Sequence, residues 1–370
     1  MQKVLQLIQK TIAAGLPMVI YSKPGDRIKA IVQEDAQTRF VKDFTEQGFV
    51  FAPFDDRNKA LIIPYNKSTQ TLFEESHIAG IDRVDNKNAI VPLDTQKASH
   101  IALVEKGIAT ITEEVLKKVV LSRKQEVSVR QDAPEILFLK LMDRYPDAMV
   151  YLWFHPETGI WLGATPETLL QTDARSFSTM ALAGTQAYKG TLEVDWGAKE
   201  KEEQQLVTDE ILKRLQEVST LVQADTVHTC RAGNLLHLKT DIHGVFEGIQ
   251  GLEGVIKALH PTPAVCGLPK NKAKTFILNN ESYDRAYYTG FLGELNDTIT
   301  IKRSTRKRNT ENQAYAAVKK QTHLFVNLRC MQYRDNVATL FIGGGITKGS
   351  QAESEWEETV RKAETIGNIL

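Results

Sequence analysis

The stretch that most restricts how this chain can fold runs from Ala338 to Ile366. An apolar strand, Ala338-Thr339-Leu340-Phe341-Ile342, empties into Gly343-Gly344-Gly345. A polar loop follows, then a helix through Glu355, Trp356, Glu357, Glu358, Lys362 and Ile366. Three glycines after a buried strand allow positive φ and let a ligand approach the backbone closely. On the helix, Glu355, Glu358 and Lys362 fall at i, i+3 and i+7, so two carboxylates and an ammonium share one face. These parts suit a small polyanion, held directly or through a metal. A merely solvated helix face gives the same local pattern.

Composition narrows the partners. The 370 residues carry 46 basic and 46 acidic side chains, so the overall charge calls for neither a nucleic acid nor a membrane surface, and any anion binding must be local. Cys230, Cys266 and Cys330 are odd in number, widely spaced and free of a C-x-x-C pair. That pattern argues against a disulfide framework and a structural zinc site, and fits a reducing compartment. Val4, Leu5, Ile8 and Ile12 alternate with polar residues as in an amphipathic helix, which differs from a signal peptide. The expectation is a cytoplasmic protein.

Along the chain, strands are expected at 18–21, 49–54 and 60–65, and nothing regular between Asn66 and Thr95. A helix over 99–112 leads into Leu116–Arg123, a short strand with Lys118 at its mouth. A lysine there is either an exposed edge charge or a base desolvated at a cleft. A helix over 134–145 and strands over 148–155 and 159–164 come next. Pro166 then forces a turn, so Glu167 leaves the sheet at a bend between apolar runs. A carboxyl group beside apolar surface keeps its proton and suits a general acid; a glutamate at a helix start is the competing reading.

Phe177–Ala183 is a strand that enters Gly184-Thr185 and offers backbone N–H groups to an anion. A long helix over 196–221 follows, mostly solvated at its charged start, with Glu203 on a face continued by Val207 and Glu210. His237 stands between leucines of a strand. Residues 259–269 form a rigid proline loop, with helix through Phe276–Leu278 after it. Asn296–Thr322 is a basic segment with only Tyr315 as an aromatic; it reads as a mobile hairpin or loop extension, not a nucleic-acid patch. Leu324–Met331 reads as a strand presenting Arg329. Without repeats or linkers, the expectation is one intertwined domain over 1–370. Oxygen-only carboxylate sites suit Mg²⁺. Serine-hydrolase, P-loop and dinucleotide-binding strings are missing.

Lys118-Val-Val-Leu-Ser-Arg123, Gly163-Ala-Thr-Pro-Glu167, Leu182-Ala-Gly-Thr185, His260-Pro-Thr-Pro-Ala264, Tyr283-Asp-Arg285 and Gly343-Gly-Gly-Ile346 with Glu355-Trp-Glu-Glu358 resemble the chorismate-utilising enzymes. Among these the match is closest to the isochorismate synthases. It spans 109–366, leaving 1–100 as a variable N-terminal part and 297–322 as a basic insertion. The resemblance implies an α+β fold like that of aminodeoxychorismate synthase, with large antiparallel sheets wrapped by helices. It also implies a Mg²⁺-dependent displacement on chorismate.

By that resemblance Lys118 is the base that activates water for attack at C2. Glu167 is the acid that protonates the departing C4 hydroxyl. Glu203 and Glu358 are Mg²⁺ ligands, with Glu355 a water-mediated partner; a one-residue slip would substitute Glu202 for Glu203. Gly184 and Thr185 bind the ring carboxylate, Arg329 and the Gly345 backbone the enolpyruvyl carboxylate, and His237 and Lys362 line the pocket. Ala183 stands where related aminodeoxychorismate synthases place a nucleophilic lysine, which leaves water or ammonia as nucleophile. No glutaminase subunit is expected. The implied product serves menaquinone or siderophore formation. Salicylate synthase, an ammonia-dependent anthranilate synthase component and a non-catalytic chorismate-binding protein are the alternatives.

Overall fold

The structure, a computed structural model, describes residues 1–74, 94–129, 133–232, 235–248, 251–301, 317–367 and 369–370. The chain opens with α1 (Gln2–Ala13), β1 (Met18–Ser22), β2 (Lys29–Gln33), β3 (Gly48–Ala52), β4 (Leu61–Pro64) and β5 (Ser68–Leu72). Then come α2 (Asp94–Thr112), β6 (Lys118–Ser128), α3 (Pro134–Arg144), β7 (Met149–His155), β8 (Gly159–Thr165), β9 (Thr168–Asp173) and β10 (Ser176–Ala187). The middle holds α4 (Ala198–Gln216), β11 (Leu221–Ala224), β12 (His228–Ala232), β13 (Leu235–Val245), α5 (Gly251–Leu259), β14 (Gly267–Leu268) and α6 (Lys270–Asn280). The last part is β15 (Phe291–Ile301), β16 (Ala317–Val326), β17 (Cys330–Arg334), β18 (Val337–Ile346) and α7 (Ala352–Gly367).

The described strands form two antiparallel sheets. One runs β14-β6-β18-β17-β8-β7-β1-β2-β5; the other runs β11-β13-β10-β9-β16-β15-β3-β4, with β12 on β13. The α+β architecture expected from the sequence is what the chain adopts. Strand β1 shows why sheets and helices layer as they do. Every residue of it is buried, and its period of two sends Val19 and Tyr21 to one face, Met18 and Ile20 to the other. Val19 and Tyr21 join an aromatic layer between the sheets, where Phe51 stacks on Tyr287 at 4.2 Å and packs against Trp153 and Trp161. Met18 and Ile20 meet the apolar faces of α1 and α3. The second sheet is covered in the same manner by α4 and α5. Truncating a ring of that inner layer to alanine costs about 3–5 kcal/mol.

Several elements differ from the sequence reading. Strands β2, β5, β9, β11 and β14 and helix α5 have no counterpart in it, and α6 is longer than expected. Part of the segment read as irregular, Ser68–Leu72, is a strand at a sheet edge, while 75–93 lie outside the described residues. The basic segment is likewise ordered in part: Asp297–Ile301 pairs with Ala317–Gln321, whereas 302–316 lie outside the described residues. Arg329 does not lie on a strand. It stands between β16 of one sheet and β17 of the other, with φ +48°, because the chain changes sheets there. Cys230, Cys266 and Cys330 are free thiols. No helix among the described residues is long and apolar enough to cross a membrane.

Candidate active site

A cavity of about 220 Å³ opens where β6 and β18 of one sheet, the strand changes at Glu167 and Arg329, and helices α4 and α7 converge. Lys118, Glu167, Gly184, Thr185, Glu203, His237, Arg329, Gly345, Glu355, Glu358 and Lys362 all line it. These positions are scattered over most of the chain, and the fold brings every one of them to the same cavity.

Lys118 begins β6 and is 2% exposed. An edge charge would be solvated, so that reading fails. Its Nζ lies 2.7 Å from Glu203 Oε1. The pair closes over Gly345, whose hypothetical Cβ would stand 3.2 Å from both Glu203 Oε1 and Lys118 Cε. The glycine run is expected to let a ligand approach the backbone; at Gly345 its bare backbone also leaves room for this pair of side chains.

Glu167 sits in the turn between β8 and β9, not at a helix start, and is 4% exposed. Burial pushes its carboxyl up to about 7, against the opposing pull of Lys118 and Arg329. A carboxyl group so placed exchanges a proton near neutrality. Burial also lowers the Arg329 guanidinium, while Tyr145 and Glu167 act in the opposite sense.

Gly184 sits at a bulge of β10 with φ +69°, where the register against β13 shifts between Ala183 and Gln186. Its carbonyl accepts from His237 Nδ1 at 2.9 Å, and Thr185 Oγ1 lies 3.3 Å from the same nitrogen. A carbonyl can only accept, so Nδ1 carries the proton and Nε2 is the free acceptor. Burial lowers His237 to about 4, keeping it neutral at physiological pH.

On α7 the shared face appears as the period of 3.6 requires. Lys362 bonds Glu358 Oε1 at 2.6 Å and donates to the Gly343 carbonyl at 3.0 Å. Lys362 draws the Glu358 carboxyl down, whereas burial, with Glu358 beside it, raises Glu355. Lys199 Nζ stands 3.9 Å from Glu355 at the rim.

On α4, Glu203 lines the cavity while Glu202 is exposed. Glu200, Tyr288 and Thr289 line it as well and were not singled out in the sequence. Glu200 had a signal: Glu200 and Glu203 stand at i, i+3, the same spacing as Glu355 and Glu358. Among the described residues no three His, Cys, Asp or Glu side chains lie close enough to hold a metal on their own. The donor chemistry, oxygen from carboxylates of two helices, still fits Mg²⁺, which uses one or two protein carboxylates and leaves other positions to water and substrate.

Residues 54–300 match the chorismate binding enzyme family, and residues 313–368 match a second family model of that description. The match therefore begins earlier than residue 109. Among curated proteins, "Isochorismate synthase EntC" of Escherichia coli K12 is 26% identical over 363 residues, 94% of this chain and 86% of its own. Among solved structures, MenF, the menaquinone-specific isochorismate synthase of E. coli, superimposes with a TM-score of 0.72 at 22% identity, covering 96% of this chain and 88% of its own. Anthranilate synthase component I of Streptococcus pneumoniae gives 0.63 at 16% identity, covering 94% and 89%. Proteins named for two different activities thus share this fold.

Proposed function

The chain belongs to the family of chorismate-binding enzymes, and from that premise we propose that it is an isochorismate synthase, an isomerase that uses Mg²⁺. Curated relatives of that name support the reading. The observation that carries it is that Lys118, Glu167 and Ala183 line one cavity. A lysine at position 183 would reach into the cavity and could attack a ring carbon; alanine cannot, so the nucleophile comes from solvent.

Charge balance supports the metal. Lys118, Lys199, Arg329 and Lys362 line the cavity against Glu167, Glu200, Glu203, Glu355 and Glu358. With Glu167 protonated, four cations face four carboxylates, and three of those cations lie within 4.0 Å of a carboxylate. A dianion entering such a site needs additional positive charge. Glu203 and Glu358 would hold Mg²⁺, with Glu355 and Glu200 lining the same cavity. When bound, the ion supplies positive charge for the ring carboxylate.

The chain's own residues do the rest. Arg329 and the Gly345 backbone receive the enolpyruvyl carboxylate, and Gly184 and Thr185 the ring carboxylate. Lys118 takes a proton from water as its oxygen bonds to C2. Both ring double bonds shift, carrying the electron pair from C2 through C1, C6 and C5 to C4; the C4–O bond breaks, and Glu167 gives its proton to the departing hydroxyl, which leaves as water. In this structure Lys118 is paired with Glu203, so its work as a base requires Glu203 to find another cation.

Incubating the purified protein with chorismate and Mg²⁺ and separating the products tests this directly. Isochorismate is expected. Release of salicylate, or of anthranilate when ammonia is added, would assign the chain to another branch. Calorimetric binding without turnover would make it a non-catalytic chorismate-binding protein.

A further inference from the structure

We propose that Arg123 is a positioning residue: from the strand that starts at Lys118, it fixes the turn of α7 that presents Glu355 and Glu358 to the cavity. The pleat of β6 sends Lys118 and Arg123 to opposite faces, since they stand five positions apart, an odd offset. Lys118 faces the cavity, whereas Arg123 faces the helices and does not line it. It is 5% exposed. Its Nε donates to Thr359 Oγ1 at 2.8 Å and its Nη2 to the Thr359 carbonyl at 3.4 Å. Its Nη1 donates to Gln125 Oε1 at 2.8 Å, and its guanidinium lies 4.6 Å from the centre of the Trp356 ring.

Both partners on α7 adjoin the working carboxylates: Trp356 follows Glu355, and Thr359 follows Glu358. Thr359 is fully buried and returns its hydroxyl proton to the Trp356 carbonyl at 2.7 Å, tying the two into one turn. Gripped at a ring and at a hydroxyl, the helix is held against both rotation and sliding. A planar, forked donor can do this; a lysine, a point charge on a flexible stem, cannot.

The cost of the arrangement argues for a purpose. Arg123's bonds go to neutral groups, and burial lowers the guanidinium to about 10. A methionine would fill the same space without desolvating a charge. What methionine lacks is the ability to set where Glu355 and Glu358 point. The inference rests on the functional reading above only in making those carboxylates the working groups.

The test uses Arg123→Met, Thr359→Val and the double variant, each by crystallography and by kinetics at a temperature where all are folded. In the single variants the Glu355 and Glu358 carboxylates should move by more than about 0.5 Å, the tolerance within which a working constellation must be held. The kcat/KM for chorismate should fall roughly 10–100-fold, as for residues that orient a metal's ligands. The double variant should lose no more than the worse single one, because both remove the same grip. Carboxylates left in place, kcat/KM within about twofold of the parent, or additive losses would each overturn the proposal. Should Arg123→Met fail to fold, Thr359→Val decides on position and rate. If the parent does not turn chorismate over, the proposed function falls, while the displacement of the carboxylates still decides the placement by Arg123.

Discussion

Lys118 Nζ stands 2.7 Å from Glu203 Oε1, and the two meet over the one position of β18, Gly345, where a methyl group would press on both. The glycine serves the side chains around it more than its own backbone. At 3.2 Å from a Cβ, the neighbours must yield by a few tenths of an ångström, and both are the mobile ends of side chains. Gly345→Ala should therefore fold normally but displace the pair. Steady-state kinetics should show kcat/KM reduced by about ten- to a hundredfold, with a melting temperature close to that of the parent.

Lys118→Ala and Glu167→Gln should each lower kcat by about 10²–10⁴-fold, the usual range for a general base or acid. Glutamine keeps the shape of Glu167 without an acidic proton to transfer, and circular dichroism should show the fold intact. Near-parent turnover in either variant would reassign that residue.

How much of this was legible beforehand follows from what each signal depends on. Glu355, Glu358 and Lys362 share a face by helical period alone, and Pro166 fixes the bend before Glu167 by its own covalent geometry. Such local rules hold whatever the rest of the chain does. Arg329 was misplaced because Leu324–Met331 reads as one apolar run; only the change of sheet at that point breaks it. Glu200 sits among Lys199, Lys201, Glu202, Gln204 and Gln205, a stretch that reads as solvated on all sides. Its approach to Gly184, with Glu200 Cβ 3.2 Å from that glycine's would-be Cβ, is tertiary information. The edge strand Ser68–Leu72 is polar, and α5 begins at Gly251 and contains Gly254, which weakens any helical signal.

The acid limb of the chemistry should titrate near neutrality. Burial holds the Glu167 carboxyl at about 7. A general acid must be protonated, so kcat/KM for chorismate should fall as pH rises through about 7. The falling limb should vanish in Glu167→Gln, which retains only a low, flat rate. A descending limb that survives the substitution would place the titrating group elsewhere.

Glu358 is held ionised by Lys362, and we assign it to the metal. Glu358→Ala should raise the Mg²⁺ concentration for half-maximal activity by about 10–100-fold, and calorimetry should show the same weakening of Mg²⁺ binding without substrate. An unchanged Mg²⁺ requirement would remove Glu358 from the ion's surroundings.

The central claim is that a water molecule deprotonated by Lys118 attacks C2 while the C4 hydroxyl departs. Turnover of chorismate in ¹⁸O-labelled water, followed by mass spectrometry of the isolated product, tests it most directly. One labelled oxygen per isochorismate, located on the C2 hydroxyl and formed at a negligible rate by Lys118→Ala, is the predicted result. Isochorismate carrying no solvent oxygen would contradict it.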